Sequence, residues 1–153
     1  MAKSGTMVEG TPRRWITSLY GNRRRIIRHT ALKLATRLEG GQFYSSTLRE
    51  IFERYHDVSI GMYTHGGCFV PGAFDRHTTI GRYCSVAVSA RGMNRNHPLQ
   101  FKSTHAFFFN TALGHVQDDP VEYVPLDIGS DVWIGHNAII MPAVRSIGHG
   151  AVV

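Results

Sequence analysis

The sequence predicts an all-β fold from residue 58 onward, a parallel β-helix whose coils stack as a solenoid, with α-helices before it and one protruding loop. Three observations predict it. Bulky apolar residues recur at intervals of six, a small residue stands four places after each of them, and neither helical spacing nor strict alternation describes this stretch. Repeats this short are typical of solenoids, in which each repeat is buried against the next. We therefore expect a solenoid domain over residues 58–153 after a helical segment of residues 1–57.

The first 57 residues read as a helical appendage to that domain. Residues 1–12 are rich in Gly, Ser and Thr and are expected to be disordered. Apolar residues at helical spacing predict a helix over residues 23–38. A second, short helix is predicted from the pair Thr47 and Glu50, which has the spacing of a capping box, in which the two side chains bond to the backbone of the first turn.

The positive charge of the chain is concentrated in this appendage. The net charge is +6, yet residues 1–38 hold nine Lys and Arg against the single acid Glu9, and the remainder is slightly acidic. The overall charge therefore says little about the main domain. We expect the basic helix to pack on the first coil with its arginines in solvent. The alternative is peripheral docking of residues 13–37 on an anionic membrane surface. No motif indicates binding to nucleic acid.

The six-residue repeat is marked by two positions. Gly often follows the bulky residue, which we attribute to a tight corner of unusual φ. Three such units are expected to close one triangular coil, and adjacent coils to pair as parallel strands. Strands of an ordinary open sheet are the alternative. The bulky positions are Ile60, Phe74, Ile80, Val86, Ile128, Ile134, Ile140 and Ile147, and the small ones are Thr64, Thr78, Cys84, Ala90, Val132, Ala138, Val144 and Ala151.

A loop over residues 92–126 interrupts the repeat. A long insertion in a compact domain is usually functional or disordered, and the three consecutive phenylalanines at 107–109 favour burial over disorder. His97 and His105 lie in this loop, and a histidine can exchange a proton near neutral pH. Either one is a candidate general base, although a surface or packing role is open to both. Asp118 and Asp119 are candidates to orient His97 because they belong to the same loop.

Several motifs together resemble the hexapeptide-repeat acetyltransferases over about residues 47–153. The branch they resemble is that of the xenobiotic acetyltransferases, of type B chloramphenicol and streptogramin kind, with the related surface-polysaccharide O-acetyltransferases. The motifs are Asn96-His97-Pro98, Ser103-Thr104-His105, Phe107-Phe108-Phe109 and Asp131-Val132-Trp133-Ile134-Gly135.

The resemblance implies a left-handed parallel β-helix, a homotrimer with active sites between subunits, and acetyl-CoA as the co-substrate. It implies His97 as the catalytic base and Trp133, Gly135 and His136 on the coil segment that lines the CoA groove. Tyr83 and His105 are candidates for contact with the acceptor. Relatives continue beyond the hexad at Ile147 with further C-terminal coils that contact CoA, and this sequence lacks them. One expectation is therefore a truncated form with an incomplete CoA site and no activity as written, and the other is that something else covers this end.

The predicted function is transfer of an acetyl group to a hydroxyl of a sugar or polysaccharide precursor. Acetylation of an antibiotic is the first alternative. The others are a zinc protein like the γ-type carbonic anhydrases, which need three converging histidines, and a trimeric scaffold without catalysis. No resident metal is expected.

The two cysteines do not form a disulfide framework, and no apolar run resembles a signal peptide or a membrane span. We therefore expect a cytoplasmic protein, with contact at the inner membrane face as the alternative. Cys84 stands at an inward-pointing small position, so we expect a packing role for it and not a nucleophilic one.

Overall fold

Three α-helices precede nine short strands in the computed structural model, which describes residues 12–153. Residues 1–11, on which the predicted disorder falls, lie outside the described residues. The helices are α1 (Arg14–Tyr20), α2 (Arg25–Leu38) and α3 (Ser46–His56). The strands are β1 (Val58–Ile60), β2 (His65–Gly66), β3 (Thr78–Ile80), β4 (Ser85–Val86), β5 (Arg91–Gly92), β6 (Leu126–Ile128), β7 (Trp133–Ile134), β8 (Ile139–Ile140) and β9 (Ser146–Ile147).

The strands form three parallel sheets, and each successive stretch of chain adds a strand to them in turn. The sheet orders are β1-β3-β6-β9, β2-β4-β7 and β5-β8, and every pairing is parallel. This arrangement is compatible with the predicted β-helix. Its left hand stays a prediction. The all-β class is not confirmed for the chain as a whole, because the helices fill much of residues 14–56.

The strand register locates the inserted loop. Val58 of β1 pairs with Thr78 of β3, twenty residues later, whereas Thr78 pairs with Leu126 of β6, forty-eight residues later. The pairing itself stays regular across this jump. The extra chain therefore leaves the stack after β5 and returns at β6 without breaking a sheet.

The repeat positions behave as interior positions where coils lie on both sides. Seven of the eight predicted bulky residues are buried, and Ile147 in the last strand is partly buried. Of the small positions, Thr64, Thr78, Cys84, Ala90 and Val132 are buried, while Val144 near the end of the sequence is exposed. Burial of apolar side chains at this period is the main stabilising contribution that the sequence specifies directly.

Glycine is required after the bulky residues for a different reason from the one predicted. Gly61, Gly81 and Gly129 do not have positive φ. A Cβ at Gly81 would lie 2.6 Å from the carbonyl carbon of Gly129, and a Cβ at Gly61 would lie 2.6 Å from that of Gly81. Close approach of the neighbouring coil, and not backbone conformation, therefore excludes a side chain here. Positive φ occurs instead at corner residues such as Tyr83 and Asp131.

The N-terminal helices cover the first coil through α3, which packs on β1, while α1 packs on α2 and α3. Helix α1 was not predicted, and the predicted capping box is wrong. Ser45 is the N-cap of α3 and accepts from the backbone N–H of Leu48, whereas Thr47 donates to Glu39. The cap therefore lies two residues earlier than the pattern indicated. None of the described helices is both long and apolar enough to span a bilayer.

Candidate functional site

The loop that carries His97 is anchored at its base by a buried asparagine. The backbone N–H of Asn94 donates to a carboxylate oxygen of Asp75 at 3.1 Å, and its side-chain amide donates to the carbonyl of Arg76. The carbonyl of Asn94 accepts from the N–H of Val124 at 2.7 Å, on the returning limb of the loop. Asn94 thus ties both limbs to the solenoid, although no motif in the sequence marked it.

A second tie joins the two limbs through charge. Arg95 donates to the carboxylate of Asp119, and its guanidinium lies 5.2 Å from the centre of the Tyr123 ring. The hydrogen bond from Arg95 lowers the pKa of the Asp119 carboxyl, so this carboxylate stays ionised at neutral pH. The Asp119 carboxylate is therefore paired with Arg95.

His97 is oriented by a backbone carbonyl and not by either predicted aspartate. Its Nδ1 lies 2.7 Å from the carbonyl oxygen of Thr104, and the ring of Phe109 packs edge-on at 5.2 Å between centres. A carbonyl only accepts, so Nδ1 carries the proton and Nε2 carries the lone pair. The assignment of Asp118 or Asp119 as the orienting group is wrong on this geometry. A carbonyl partner cannot be predicted from residue type, because every residue has one.

His97 lines a cleft of about 320 Å³ between the two limbs of the loop and the turn that follows β8. The lining alternates polar groups with proline and small apolar residues, so the cleft combines hydrogen-bonding capacity with apolar walls. Its lining consists of Asn96, His97, Pro98, Gln100, Pro120, Val121, Glu122, Val124, Pro142 and Ala143.

His105 has a local structural role in the same loop. Its Nδ1 accepts from the backbone N–H of Phe107 at 3.3 Å and so caps the 3-10 turn over residues 106–108. Because Nδ1 is the acceptor, the neutral ring carries its proton on Nε2. The ring is exposed and packs against Phe107. His105 can therefore donate a hydrogen bond to a ligand, but in this tautomer it presents no lone pair at Nε2.

The residues that the resemblance assigns to CoA lie on and just after β7. Trp133 is 58 % exposed although it is a large aromatic residue, and it stands between Ser85 of β4 and Val152 in the second sheet. His136 follows in the turn, where its Nδ1 lies 3.0 Å from the hydroxyl of Ser89. This exposed strand offers an apolar ring beside a hydrogen-bonding histidine. Val88, Ile139 and Met141 are likewise exposed and apolar.

Gly135 completes this strand end. Its N–H donates to the carbonyl of Val153 at 2.7 Å, and a Cβ there would lie 3.2 Å from the same oxygen. A small residue is thus favoured by packing between coils, independently of any ligand.

Tyr83 belongs to an aromatic cluster at a different corner. Its ring stacks on Tyr63 with 5.0 Å between centres, and the guanidinium of Arg82 lies 5.3 Å from the Tyr63 ring and 5.7 Å from the Tyr83 ring. The pair forms an exposed, electron-rich surface with a cation beside it. No contact joins this cluster to His97 in the described part of the chain, and the His97 cleft includes neither Tyr83 nor Trp133.

The two cysteines are poorly placed to act as nucleophiles. Both are buried and free, and burial raises the pKa of the Cys68 thiol to about 12. The thiol of Cys84 lies 3.2 Å from the carbonyl of Gly129 in the next coil. The expected packing role of Cys84 is consistent with this burial, because a buried thiol of this kind is a poor nucleophile. Within residues 12–153, no group of three His, Cys, Asp or Glu side chains lies close enough to hold a metal ion.

Comparison with known proteins finds several chloramphenicol acetyltransferases. The chain is 34% identical to that of Agrobacterium fabrum over 104 residues, which is 60% of this chain and 49% of the relative. It is 35% identical to those of Klebsiella aerogenes and Escherichia coli over 86 residues, which is 48% of this chain and 38% of each relative. No protein-family model matches the chain.

The chain spans about half the length, or less, of the curated relatives that it matches. The matches support a relationship to acetyltransferases. They do not identify a branch of that group, and the resemblance to surface-polysaccharide enzymes stays a prediction.

Proposed function

We propose that this protein transfers an acetyl group from acetyl-CoA to a hydroxyl group of a small acceptor, with His97 as the general base. The observation that carries the proposal is the bond between His97 Nδ1 and the Thr104 carbonyl, because it leaves the Nε2 lone pair on a side chain that lines a cleft. A base must have its proton-accepting nitrogen unoccupied and its ring held in place.

The chemistry requires one proton acceptor and correct placement of two substrates. His97 takes the hydroxyl proton of the acceptor at Nε2 while the hydroxyl oxygen attacks the thioester carbonyl. The C–S bond then breaks, and the CoA thiolate leaves and takes up a proton, which the imidazolium can supply. Placing the reactants and removing this proton together lower the barrier without a covalent enzyme intermediate.

A second copy of the chain is proposed to complete the site. Trp133, Gly135 and His136 belong to the second sheet and its following turn, whereas the His97 cleft is bounded by the loop and the turn after β8. A CoA molecule on the Trp133 strand of one subunit would meet His97 of another if these two surfaces face each other in a homotrimer. The exposed apolar ring of Trp133 supports burial against CoA or a partner subunit.

An antibiotic is the better-supported acceptor. The matched relatives carry the name chloramphenicol acetyltransferase, and this favours the antibiotic alternative over the saccharide acceptor that sequence analysis placed first. The acceptor hydroxyl is proposed to enter the His97 cleft, whose proline and valine walls suit an apolar molecule.

The test is release of free thiol from acetyl-CoA in the presence of an acceptor panel that includes chloramphenicol and simple sugars. His97→Ala should lower kcat by roughly 10² or more, the effect expected for removal of a general base. His115→Ala, at another exposed histidine of the loop outside the cleft, is the matched control and should keep wild-type activity.

Binding separates chemistry from folding in this test. Acetyl-CoA should bind His97→Ala with nearly wild-type affinity in calorimetry, because the base is not expected to contribute to CoA affinity. Wild-type activity in this variant would end the assignment of His97. Absence of acetyl-CoA binding by the wild type would favour a scaffold, and stoichiometric bound zinc would favour the carbonic-anhydrase alternative.

Subunit mixing tests the proposed shared site. His97→Ala and Trp133→Ala would each be inactive alone, while mixed trimers would contain some sites with both native residues. Recovery of part of the wild-type activity on mixing is expected. Lack of recovery, with mixed trimers demonstrated by mass, would place both residues in one subunit's site.

A further inference from the structure

The N-terminal helices border a half-open cavity of about 850 Å³ that is separate from the His97 cleft. It lies between the turn joining α1 to α2, the first half of α2, the end of α3 and the turn at Val70 and Pro71. Its polar lining is dominated by cations. The cationic or titratable lining residues are Arg23, Arg25, Arg28, His29 and His56.

These arginines have no anionic partner in the part of the chain that the structure describes. None of Arg23, Arg25 and Arg28 forms a salt bridge within residues 12–153. No carboxylate lines the cavity among the described residues. Glu39 is occupied by Ser45 and Thr47, and Glu50 accepts from Thr17. Three like charges around one cavity repel each other, so an anion in the cavity would relieve this repulsion.

The floor of the cavity holds one guanidinium in a fixed position. Arg28 donates to the hydroxyl of Tyr20 at 3.0 Å and lies 4.5 Å above the centre of that ring. The buried Tyr20 hydroxyl lies 2.6 Å from Nε2 of His56. Burial, and then the charge of Arg28, lower the pKa of His56, so the neutral imidazole accepts a hydrogen bond from the Tyr20 hydroxyl. Arg28 is thereby oriented with most of its five N–H donors unused.

The start of α2 adds to the positive potential. The helix begins at Arg25, its N-cap Arg24 makes no side-chain capping bond, and its first turn has no acidic residue. The uncapped N–H groups of a helix start favour an anion nearby. Most helices place a capping oxygen or an acid at this position, and α3 does so with Ser45.

We propose that this cavity binds a phosphate-bearing anion, of the diphosphate class. Guanidinium groups match phosphate oxygens with two parallel hydrogen bonds, and two linked phosphates provide the several negative charges that three arginines balance. The volume exceeds that of a single phosphate and accommodates a diphosphate with part of the group that it esterifies. This site goes beyond the proposed acetyl transfer and does not depend on it, because none of its residues lines the His97 cleft.

The first arm of the test is calorimetric titration of the protein with sodium pyrophosphate at low ionic strength. The double variant R23Q/R25Q should weaken binding roughly tenfold or more, because it removes two charged donors from the cavity wall. The double variant R14Q/R37Q removes the same charge from exposed arginines outside the cavity and should stay within about twofold of wild type. Equal weakening in the two variants would overturn the site, because a general charge effect would then explain it.

The second arm distinguishes a soluble diphosphate from a lipid phosphate. Ile26 lines the cavity and is 81 % exposed, so a headgroup could enter while this side chain touches the membrane. Sedimentation with vesicles of phosphatidylcholine, with and without phosphatidic acid, is compared for the same variants. Binding to both pyrophosphate and phosphatidic acid that the cavity variants weaken adds a lipid source, whereas binding to phosphatidic acid without pyrophosphate binding would overturn the diphosphate class. The proposal would be refuted if the wild type bound neither pyrophosphate nor the vesicles. It would also be refuted if R14Q/R37Q reduced vesicle binding as much as R23Q/R25Q does.

Discussion

Replacing Arg49 by methionine should destabilise the protein by several kcal/mol. Arg49 lies on α3, is only 8 % exposed, and has no carboxylate partner among residues 12–153. Its guanidinium donates to the carbonyls of Gln42 at 2.8 Å, Gly61 at 3.0 Å and Thr64 at 3.2 Å. Burial lowers the pKa of Arg49 to about 10, so the side chain remains charged at neutral pH.

The magnitude follows from the carbonyls that would lose their donor. Among the described residues, the carbonyls of Gln42, Gly61 and Thr64 accept no other hydrogen bond from the backbone. An unsatisfied buried carbonyl costs about 1 to 3 kcal/mol, and water will reach part of the space, so we expect a loss of about 3 to 5 kcal/mol in total. For a chain of this size that corresponds to a fall in Tm of roughly 10 °C.

The assay is denaturant unfolding followed by circular dichroism, with the midpoint compared at constant slope. Arg54→Met is the control, since Arg54 is an exposed arginine of the same helix, and it should change stability by less than about 1 kcal/mol. Arg49→Lys should lie between the two, because an ammonium keeps the charge but cannot reach three carbonyls in fork geometry. Equal stability of Arg49→Met and Arg54→Met would refute the reasoning.

Two further predictions test the packing and the titration of the described chain. Gly81→Ala should lower the free energy of unfolding by about 2 kcal/mol or more, because the added Cβ would meet the Gly129 backbone at 2.6 Å. Gly148→Ala is the control and should be nearly neutral, since nothing lies within 4 Å of a Cβ there. Similar shifts in Tm for the two variants would contradict this account. The lowered pKa of His56 means that the unfolded chain binds this proton more tightly than the folded chain does. The contribution of the neutral His56 to stability is therefore present above the ordinary histidine pKa of 6.5 and is lost as the pH falls through the lower pKa of the folded state. The Tm of the wild type should therefore drop more between about pH 7.5 and 5.5 than the Tm of His56→Gln. His115→Gln is the control and should follow the wild type. Identical dependence of Tm on pH in the wild type and His56→Gln would exclude a contribution of His56 to the pH dependence of stability.

Patterns confined to neighbouring residues predicted the structure well. The six-residue period predicted the buried positions because a side chain's direction within a coil is fixed by its place in the repeat, and Ile80 and Ile134 are buried as expected. Helix α2 was predicted from its apolar spacing for the same reason, with its start two residues later than expected. Helix α1 was missed because its seven residues span less than two full turns, which is too short for an apolar periodicity to be recognised.

Features that depend on distant backbone atoms could not be predicted in this way. The Thr104 carbonyl that orients His97 is one such feature, since its residue type carries no signal. The anchoring by Asn94 is another, because it joins residues 75, 76 and 124 that only the fold brings together. The sequence therefore indicated His97 as a candidate base, whose catalytic role stays a prediction, but not the contacts that hold it.

Arg49 and the side chains at the small repeat positions donate hydrogen bonds to equivalent glycine carbonyls in successive coils. In the second coil the carbonyl of Gly81 accepts from the hydroxyl of Thr64 at 2.7 Å, and in the third coil the carbonyl of Gly129 accepts from the thiol of Cys84 at 3.2 Å. Each glycine carbonyl thus uses a donor from the coil before it. Gly61 stands in the first described coil, where α3 lies in place of a preceding coil, and there the donor is Arg49.

Because Arg49 supplies the donor that a preceding coil would otherwise supply, its charged side chain is buried among apolar ones beside the first coil. A solenoid exposes unpaired backbone groups at its first coil, and an uncovered edge of this kind invites association with other chains. An apolar helix face would cover the coil but would leave its carbonyls unsatisfied, whereas a guanidinium supplies several donors from one residue. The arginine on the buried face of α3 is therefore explained by the acceptors it meets, and its removal should expose the first coil, to which Asn94 also ties the His97 loop through Asp75 and Arg76.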